Sequence, residues 1–262
     1  MPNYEKIPVL DHGYIQIIRS WGSEEEIIEA ARMSTNKGFL GWGGDCVECG
    51  GHGSEFFSHD HGDIPCSKCK GTGKSSGDEK LLAYLWKHKH ATPFEMAGLI
   101  VEVQAPIMVF REWHRHRTFS FNEMSGRYVE LPDMVYMPSD ERMMAGKQSS
   151  TNKQASAEGF TLKEAQEYNT DLMNAYAYSR RYYRELLEKG VSRELARLVL
   201  PVAQYSRMRA SANLRNWLAF LTLRLAPAAQ YEIREYAQVV ASLVQEHFPR
   251  TYSLFQEGLE QG

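Results

Sequence analysis

Two groups of residues in this chain have the types and spacing that chemistry needs. The first is Cys46-x-x-Cys49 and Cys66-x-x-Cys69, two knuckles separated by sixteen residues. A CxxC turn puts two thiolates on one side of a metal, and two turns complete a tetrahedral Zn²⁺ site with bonds of about 2.3 Å. Redox-active or disulfide-bonded cysteines are the alternatives, and the spacing favours zinc. His52, His59 and His61 could substitute as ligands, but four cysteines already suffice. Such a site is structural, because four protein ligands leave no open position. The second group is Phe110 to Tyr128, FREWHRHRTFSFNEMSGRY, where Arg111, Arg115, Arg117 and Arg127 stand with His114 and His116. Glu112 and Glu123 oppose them, and Ser120, Asn122 and Ser125 add short polar groups. Arginine forks bind phosphate bidentately, so the cluster suits a ligand with several phosphates. A nucleic-acid grip or a solvated helix end with ion pairs would use the same residues.

The chain that must position these groups has 262 residues, 43% hydrophobic and 24% charged, with a net charge of −3. That apolar content builds a core and excludes a disordered chain. No apolar run approaches the roughly 20 residues of a membrane-spanning helix. The opening MPNYEKIPVLDHG lacks the basic start and apolar block of a signal peptide, so a cytoplasmic protein is expected. A net acidic chain has no extended basic face, which argues against a nucleic-acid partner.

The expected elements are mostly helices. Ser23-Glu24-Glu25-Glu26 opens a helix to about Met33, and Asp78 as N-cap opens one with Leu81, Leu82, Leu85 and Trp86 on one face. Gly98 to Gln104 reads as a strand, and Ala105-Pro106 begins a helix toward Trp113. Pro138 to Gly159 reads as a mobile loop, and Thr161 to Lys189 as a helix capped by Gly190. A short helix covers Ser192 to Leu200; Ala203 to Ala212 suits strand or helix. Helices follow at about Leu214 to Arg224 and Ala228 to Phe248. The fold expected is α/β (α+β): one helix-rich domain over 1–262 with a central, mostly antiparallel sheet. Gly41 to Gly77 is glycine-rich and holds all four cysteines, so it reads as an inserted zinc subdomain with Lys74-Ser75-Ser76-Gly77 as exit linker. Its two CxxCxGxG units, CVECGGHG and CSKCKGTG, resemble the zinc knuckles of the DnaJ-type cysteine-rich region, a likeness that implies a zinc fold and not chaperone activity.

Arg115-His116-Arg117, seven residues and then Ser125 resemble the RHRx7S signature of the flavin-dependent thymidylate synthases. Glu123 to Tyr128 continues as that family's NExSxRY segment does. Further pieces match in order: Ala31-Arg32-x-Ser34, HKHATPFEM (His88 to Met96), VQAPIMVFREW (Val103 to Trp113), SRELARLVLP (Ser192 to Pro201) and NLRNWLAFLTLR (Asn213 to Arg224). The resemblance spans nearly all of the chain outside the cysteine block. It implies reductive methylation of dUMP to dTMP, with methylenetetrahydrofolate as carbon donor and NADPH-reduced FAD as hydride donor, releasing tetrahydrofolate. It also implies a homotetramer with FAD at subunit junctions, which fits the lack of a GxGxxG loop.

Carried over by position, the resemblance assigns Thr92, Arg115, His116, Arg117, Glu123, Asn213 and Arg215 to FAD. It assigns Glu112, Arg115, Glu123, Ser125, Gly126, Arg127, Arg197 and Arg224 to dUMP, with Arg197 able to come from a neighbouring subunit. Arg127, Arg197 and the Ser125 hydroxyl form a dianion clamp in this reading. Arg224 is the catalytic group, favouring ionisation at the uracil N3; an arginine is always charged and so stabilises an anion rather than shuttling protons. All four cysteines belong to the insert, which leaves no thiolate for the other, cysteine-dependent route to thymidylate. His90 and Tyr128 are candidates for the folate face. Three positions depart from the family pattern: Glu112 where many relatives carry Gln, Ala219 at a polar flavin contact, and Met96 where His is common. A carboxylate at Glu112 must be paired, and Arg111 or Arg115 are the expected partners.

Overall fold

The computed structural model describes residues 5–46, 48–56, 63–74, 77–150, 156–157 and 159–260. In chain order it runs β1 (Ile7–Val9), β2 (Gly13–Trp21), α1 (Glu24–Arg32), β3 (Ser54–Phe56), β4 (Asp63–Pro65), α2 (Asp78–Lys87), β5 (Gly98–Pro106), α3 (Ile107–Trp113) and β6 (Ser120–Glu123). There follow α4 (Asp140–Met144), β7 (Lys147–Gln148), β8 (Ser156–Ala157), α5 (Leu162–Glu188), α6 (Arg193–Ala196), β9 (Tyr205–Asn213), α7 (Leu214–Arg224), α8 (Tyr231–His247) and α9 (Pro249–Glu260). The fold is α/β, helix-rich around one five-stranded sheet. The chain forms two compact units, one of residues 1–19, 99–212 and 216–243, the other of 20–98, 213–215 and 244–262.

The first unit is built on the sheet, in order β1-β2-β5-β9-β6. Both edge pairings are antiparallel, with Ile7 opposite Ile15 and Phe121 opposite Ala210. In β9 the exposed residues Arg207 and Arg209 alternate with buried Met208 and Ala210. That period of two settles the ambiguous Ala203 to Ala212 segment as a strand. Leu99, Val101 and Val103 of β5 are fully buried, as are Trp113, Trp217 and Phe220 of the helices. The indole of Trp217 donates to the Leu99 carbonyl at 3.1 Å. Tyr236 donates to the Gln104 carbonyl at 2.7 Å, and a Cβ at residue 13 would lie 2.0 Å from its hydroxyl. Only glycine fits there.

Thr161 and Glu164 form a reciprocal capping box that starts α5, and Gly190 with φ 81° follows its end. Among its described residues the stretch Pro138 to Gly159 is not the loop expected, and 151–155 and 158 lie outside them. Ser139 caps α4 by accepting from Arg142 N at 3.1 Å, and β7 pairs with β8. The Ser192 to Leu200 helix is short α6 followed by a 3-10 turn, and the last helices divide at Pro249.

In the second unit α1 begins as expected: the Ser23 hydroxyl accepts from Glu26 N at 3.2 Å. Buried Glu24 accepts from Thr251 N at 2.6 Å at the start of α9. Trp86 of α2 meets Phe94 and Phe255 edge-on, at 5.8 and 6.3 Å between ring centres. Asp78 is not the N-cap of α2. Gly77 takes that position at φ 68°, and Asp78 is the first helical residue, fully buried. Among the described residues no helix is long and apolar enough to cross a membrane.

Candidate functional site

The short helix α3 ends in the arginine–histidine stretch, and its burial sets the stretch's orientation. Val109, Phe110 and Trp113 face the core, which turns Arg111 and Glu112 outward. His114 and Arg115 close the helix by backbone bonds to Phe110 and Glu112, and the chain turns into β6. Arg224 arrives from the last turn of α7.

Arg224 is held at three points. Its Nη1 donates to the Glu112 carboxylate at 2.6 Å, its Nη2 to the Glu112 carbonyl at 2.9 Å, and its Nε to His116 Nε2 at 3.0 Å. The guanidinium has five N–H groups, so one on each terminal nitrogen is left over, a fork suited to a planar acceptor. An imidazole that accepts at Nε2 is neutral and carries its proton on Nδ1. Burial, reinforced by the charge of Arg224, pushes the His116 pKa down from 6.5 to about 4, against the opposing pull of Glu112. His116 is therefore a neutral wall for Arg224 at ordinary pH.

Arg224 is thus the partner of Glu112, in place of the Arg111 or Arg115 expected. Distance along the chain hid it: the pair are 112 residues apart. Arg111, Arg115 and Arg117 are exposed, and none makes an ion pair among the described residues. Free arginine forks fit the pyrophosphate of a dinucleotide cofactor. Arg127 pairs with Glu194 at 2.9 Å, both half-exposed, which occupies one arm of the expected dianion clamp. The Ser125 hydroxyl accepts from Arg127 N at 3.3 Å, making a small turn. A Cβ at Gly126 would lie 3.4 Å from Arg197 Cδ, so the Arg197 stem runs beside the turn. Glu123 is exposed at the end of β6.

In the second unit, exposed Thr92 opens a 3-10 turn ending at Glu95. The Glu95 carboxylate accepts from Arg215 at 2.5 Å. Asn213, half-buried, precedes α7. Tyr84 stacks on His90 with centres 5.8 Å apart and lies 4.3 Å from His88, an aromatic group that sequence reasoning noted only at His90. The four cysteines converge: all Sγ atoms lie within 4.8 Å of one another, and none is in a disulfide. His52 is not part of that group, and His59 and His61 lie outside the described residues.

The chain as a whole is similar to known proteins. The Thy1 family, described as thymidylate synthase complementing protein, matches residues 16–250. Among similar proteins, the flavin-dependent thymidylate synthase of Thermus thermophilus is 39% identical over 98% of this chain and 80% of its own length. That of Wolbachia pipientis is 36% identical over 97% and 77%. Among solved structures, the UMP/dUMP methylase PolB from Streptomyces cacaoi, bound with 5-Br UMP, superposes with a TM-score of 0.73 at 28% identity, covering 96% of this chain and 97% of PolB.

Proposed function

We propose, from the premise that this chain belongs to the Thy1 family and is an enzyme of the flavin-dependent thymidylate synthase type, that it methylates dUMP reductively to dTMP. Methylenetetrahydrofolate is the carbon donor in this reading, and tetrahydrofolate the folate product. FAD, when bound, supplies the hydride that it has taken from NADPH. The observation that carries the reading is the three-point mounting of Arg224, inside a chain matched to the family over residues 16–250.

Arg224 offers its two remaining N–H groups to the edge of the uracil ring. A fixed positive charge there stabilises the N3 anion and raises electron density at C5, where the new bond forms. Because Glu112 and His116 hold the guanidinium beforehand, no reorganisation is needed when charge develops. Arg127 and Arg197 bind the dUMP phosphate with the Ser125 hydroxyl. Arg127 can exchange Glu194 for phosphate, since an exposed ion pair contributes only about 0–1 kcal/mol. Glu112, Arg115, Glu123 and Gly126 complete the nucleotide's surroundings. Arg115 and Arg117 grip the flavin pyrophosphate, and Thr92, His116, Glu123, Asn213 and Arg215 supply further flavin contacts.

The reading includes a homotetramer with the flavin at subunit junctions, a single catalytic domain with residues 41–77 as an insert, a cytoplasmic location, and a structural Zn²⁺ in the insert. The direct test is the purified protein. It should carry FAD and form dTMP only when dUMP, methylenetetrahydrofolate and NADPH are all present. A colourless protein that forms no dTMP after FAD is added overturns the reading.

A further inference from the structure

The described part of the insert has almost nothing to bury. Its core cluster consists of Cys46, Cys49, Cys66 and Cys69 alone, each at most 8% exposed. Thiols in contact do not fold so short a segment, because apolar burial must offset the ordering of every residue.

The geometry points to a metal in that place. Cys46 and Cys66 Sγ stand 3.8 Å apart, and Cys49 and Cys69 Sγ 3.7 Å. A tetrahedral ion with thiolates at about 2.3 Å has ligand atoms about 3.8 Å apart along each edge. Disulfides would bring the same atoms to about 2.05 Å. The two knuckles also repeat one backbone form. Gly50, Gly51 and Gly53 have φ of 57°, 90° and 80°; Lys70, Gly71 and Gly73 have 53°, 84° and 69°. Each knuckle bonds the other in the same way: Cys46 N donates to the Gly73 carbonyl and Cys66 N to the Gly53 carbonyl, both at 2.9 Å. A Cβ at Gly73 would lie 2.3 Å from the Gly51 carbonyl oxygen. The Gly53 amide donates to Cys49 Sγ at 3.2 Å.

The root of the insert is closed separately. The buried Asp78 carboxylate accepts from Leu40 N at 2.7 Å and Gly41 N at 3.0 Å, and is paired with Arg32 of α1. Asp78 N returns a bond to the Gly41 carbonyl at 3.2 Å. These bonds join chain entering and leaving the insert at one point, without any cysteine.

We propose that Cys46, Cys49, Cys66 and Cys69 bind one Zn²⁺ as a closed tetrathiolate, that this ion folds the two cysteine knuckles at 48–53 and 66–73, and that Asp78 closes the root independently of the metal. The proposal rests on the reading of the insert as a zinc segment and makes the ion's role purely architectural. Four thiolates give the metal no vacancy, and the root bonds confine the consequences of its loss.

The 262-residue chain purified without added metal should contain one Zn²⁺ per chain, and the Cys46→Ser/Cys66→Ser double variant none. Replacement by Co²⁺ should give the intense visible bands of tetrahedral thiolate coordination. After chelation, hydrogen exchange at the Cys46, Cys66, Lys70 and Thr72 amides should accelerate by about 100-fold or more, while the Leu40 and Gly41 amides keep their protection. Asp78→Ala should do the reverse: it removes the acceptor of Leu40 and Gly41 and leaves zinc bound. Metal-free native protein, or cysteines found as disulfides, overturns the zinc site. Unchanged exchange across the two knuckles after zinc removal overturns its folding role, and loss of protection at Leu40 and Gly41 on chelation overturns the independent root. Flavin content and dTMP synthesis are read on the same samples, so failure here stays distinct from failure of the enzymatic reading.

Discussion

Arg224 and Glu112 are joined twice, through the carboxylate at 2.6 Å and the backbone carbonyl at 2.9 Å. The second bond does not depend on the Glu112 side chain. It fixes one edge of the guanidinium to α3, and the carboxylate sets its tilt and balances its charge. Arg224 is only 14% exposed, so its remaining N–H groups point from a firm mount.

Arg224→Lys keeps the charge and loses the planar fork. Turnover is expected to fall about 100-fold or more, with dUMP affinity weakened only several-fold. Flavin reduction by NADPH should survive, because that half-reaction involves no pyrimidine anion. Stopped-flow measurement of the two half-reactions separates the outcomes, and equal loss of both would make Arg224 a structural residue.

Glu112 should act through Arg224. Glu112→Gln keeps an acceptor for Nη1 and is expected to retain turnover within about tenfold, whereas Glu112→Ala removes the tilt and should lower kcat more than it raises KM. A rise in KM for dUMP without change in kcat, in either variant, would contradict this role.

His116 gives the site a pH signature. Its folded pKa, about 4, lies below the ordinary 6.5, so the unfolded chain takes up the proton first. The neutral imidazole therefore contributes stability above about pH 6.5, and that contribution is lost as pH falls toward 4. Urea midpoints for the wild type and His116→Asn should diverge less at pH 4 than at pH 7. NMR titration of the His116 ring should show no protonation at pH 6; a midpoint near 6.5 would mean that its bond to Arg224 is not formed.

Asp78→Ala leaves Arg32 and two amides without their shared acceptor. Breaking such a buried pair costs about 3–5 kcal/mol, so the urea midpoint should fall clearly. A shift within the error of the wild type would show that the Asp78 bonds are not maintained in solution.

The family of this protein was more legible in the sequence than its strands. RHRx7S and the CxxC pairs are local patterns, and the structure brings the cysteines together. The helices with strong caps, at Ser23 and Thr161, lie where the sequence places them. What escaped depended on partners far away in the chain. The β2 strand, GYIQIIRSW, has its apolar residues on both faces, without the alternation of a half-exposed strand. The β6 strand is mostly exposed and exists through its pairing with β9. The signal for α4 was present in Ser139-Asp140-Glu141, an N-cap with an acidic first turn, but the glycine and serine around it dominated. The pairing of Glu112 with Arg224 has no local trace at all.

The most direct test is the identity of the folate produced during turnover. The purified enzyme is supplied with dUMP, methylenetetrahydrofolate and NADPH, and the products are separated by chromatography under anaerobic conditions. If the hydride comes from the flavin, dTMP and tetrahydrofolate form in equal amounts, and no dihydrofolate accumulates. Dihydrofolate formed in step with dTMP would mean that the folate itself gave the hydride, and would contradict the account.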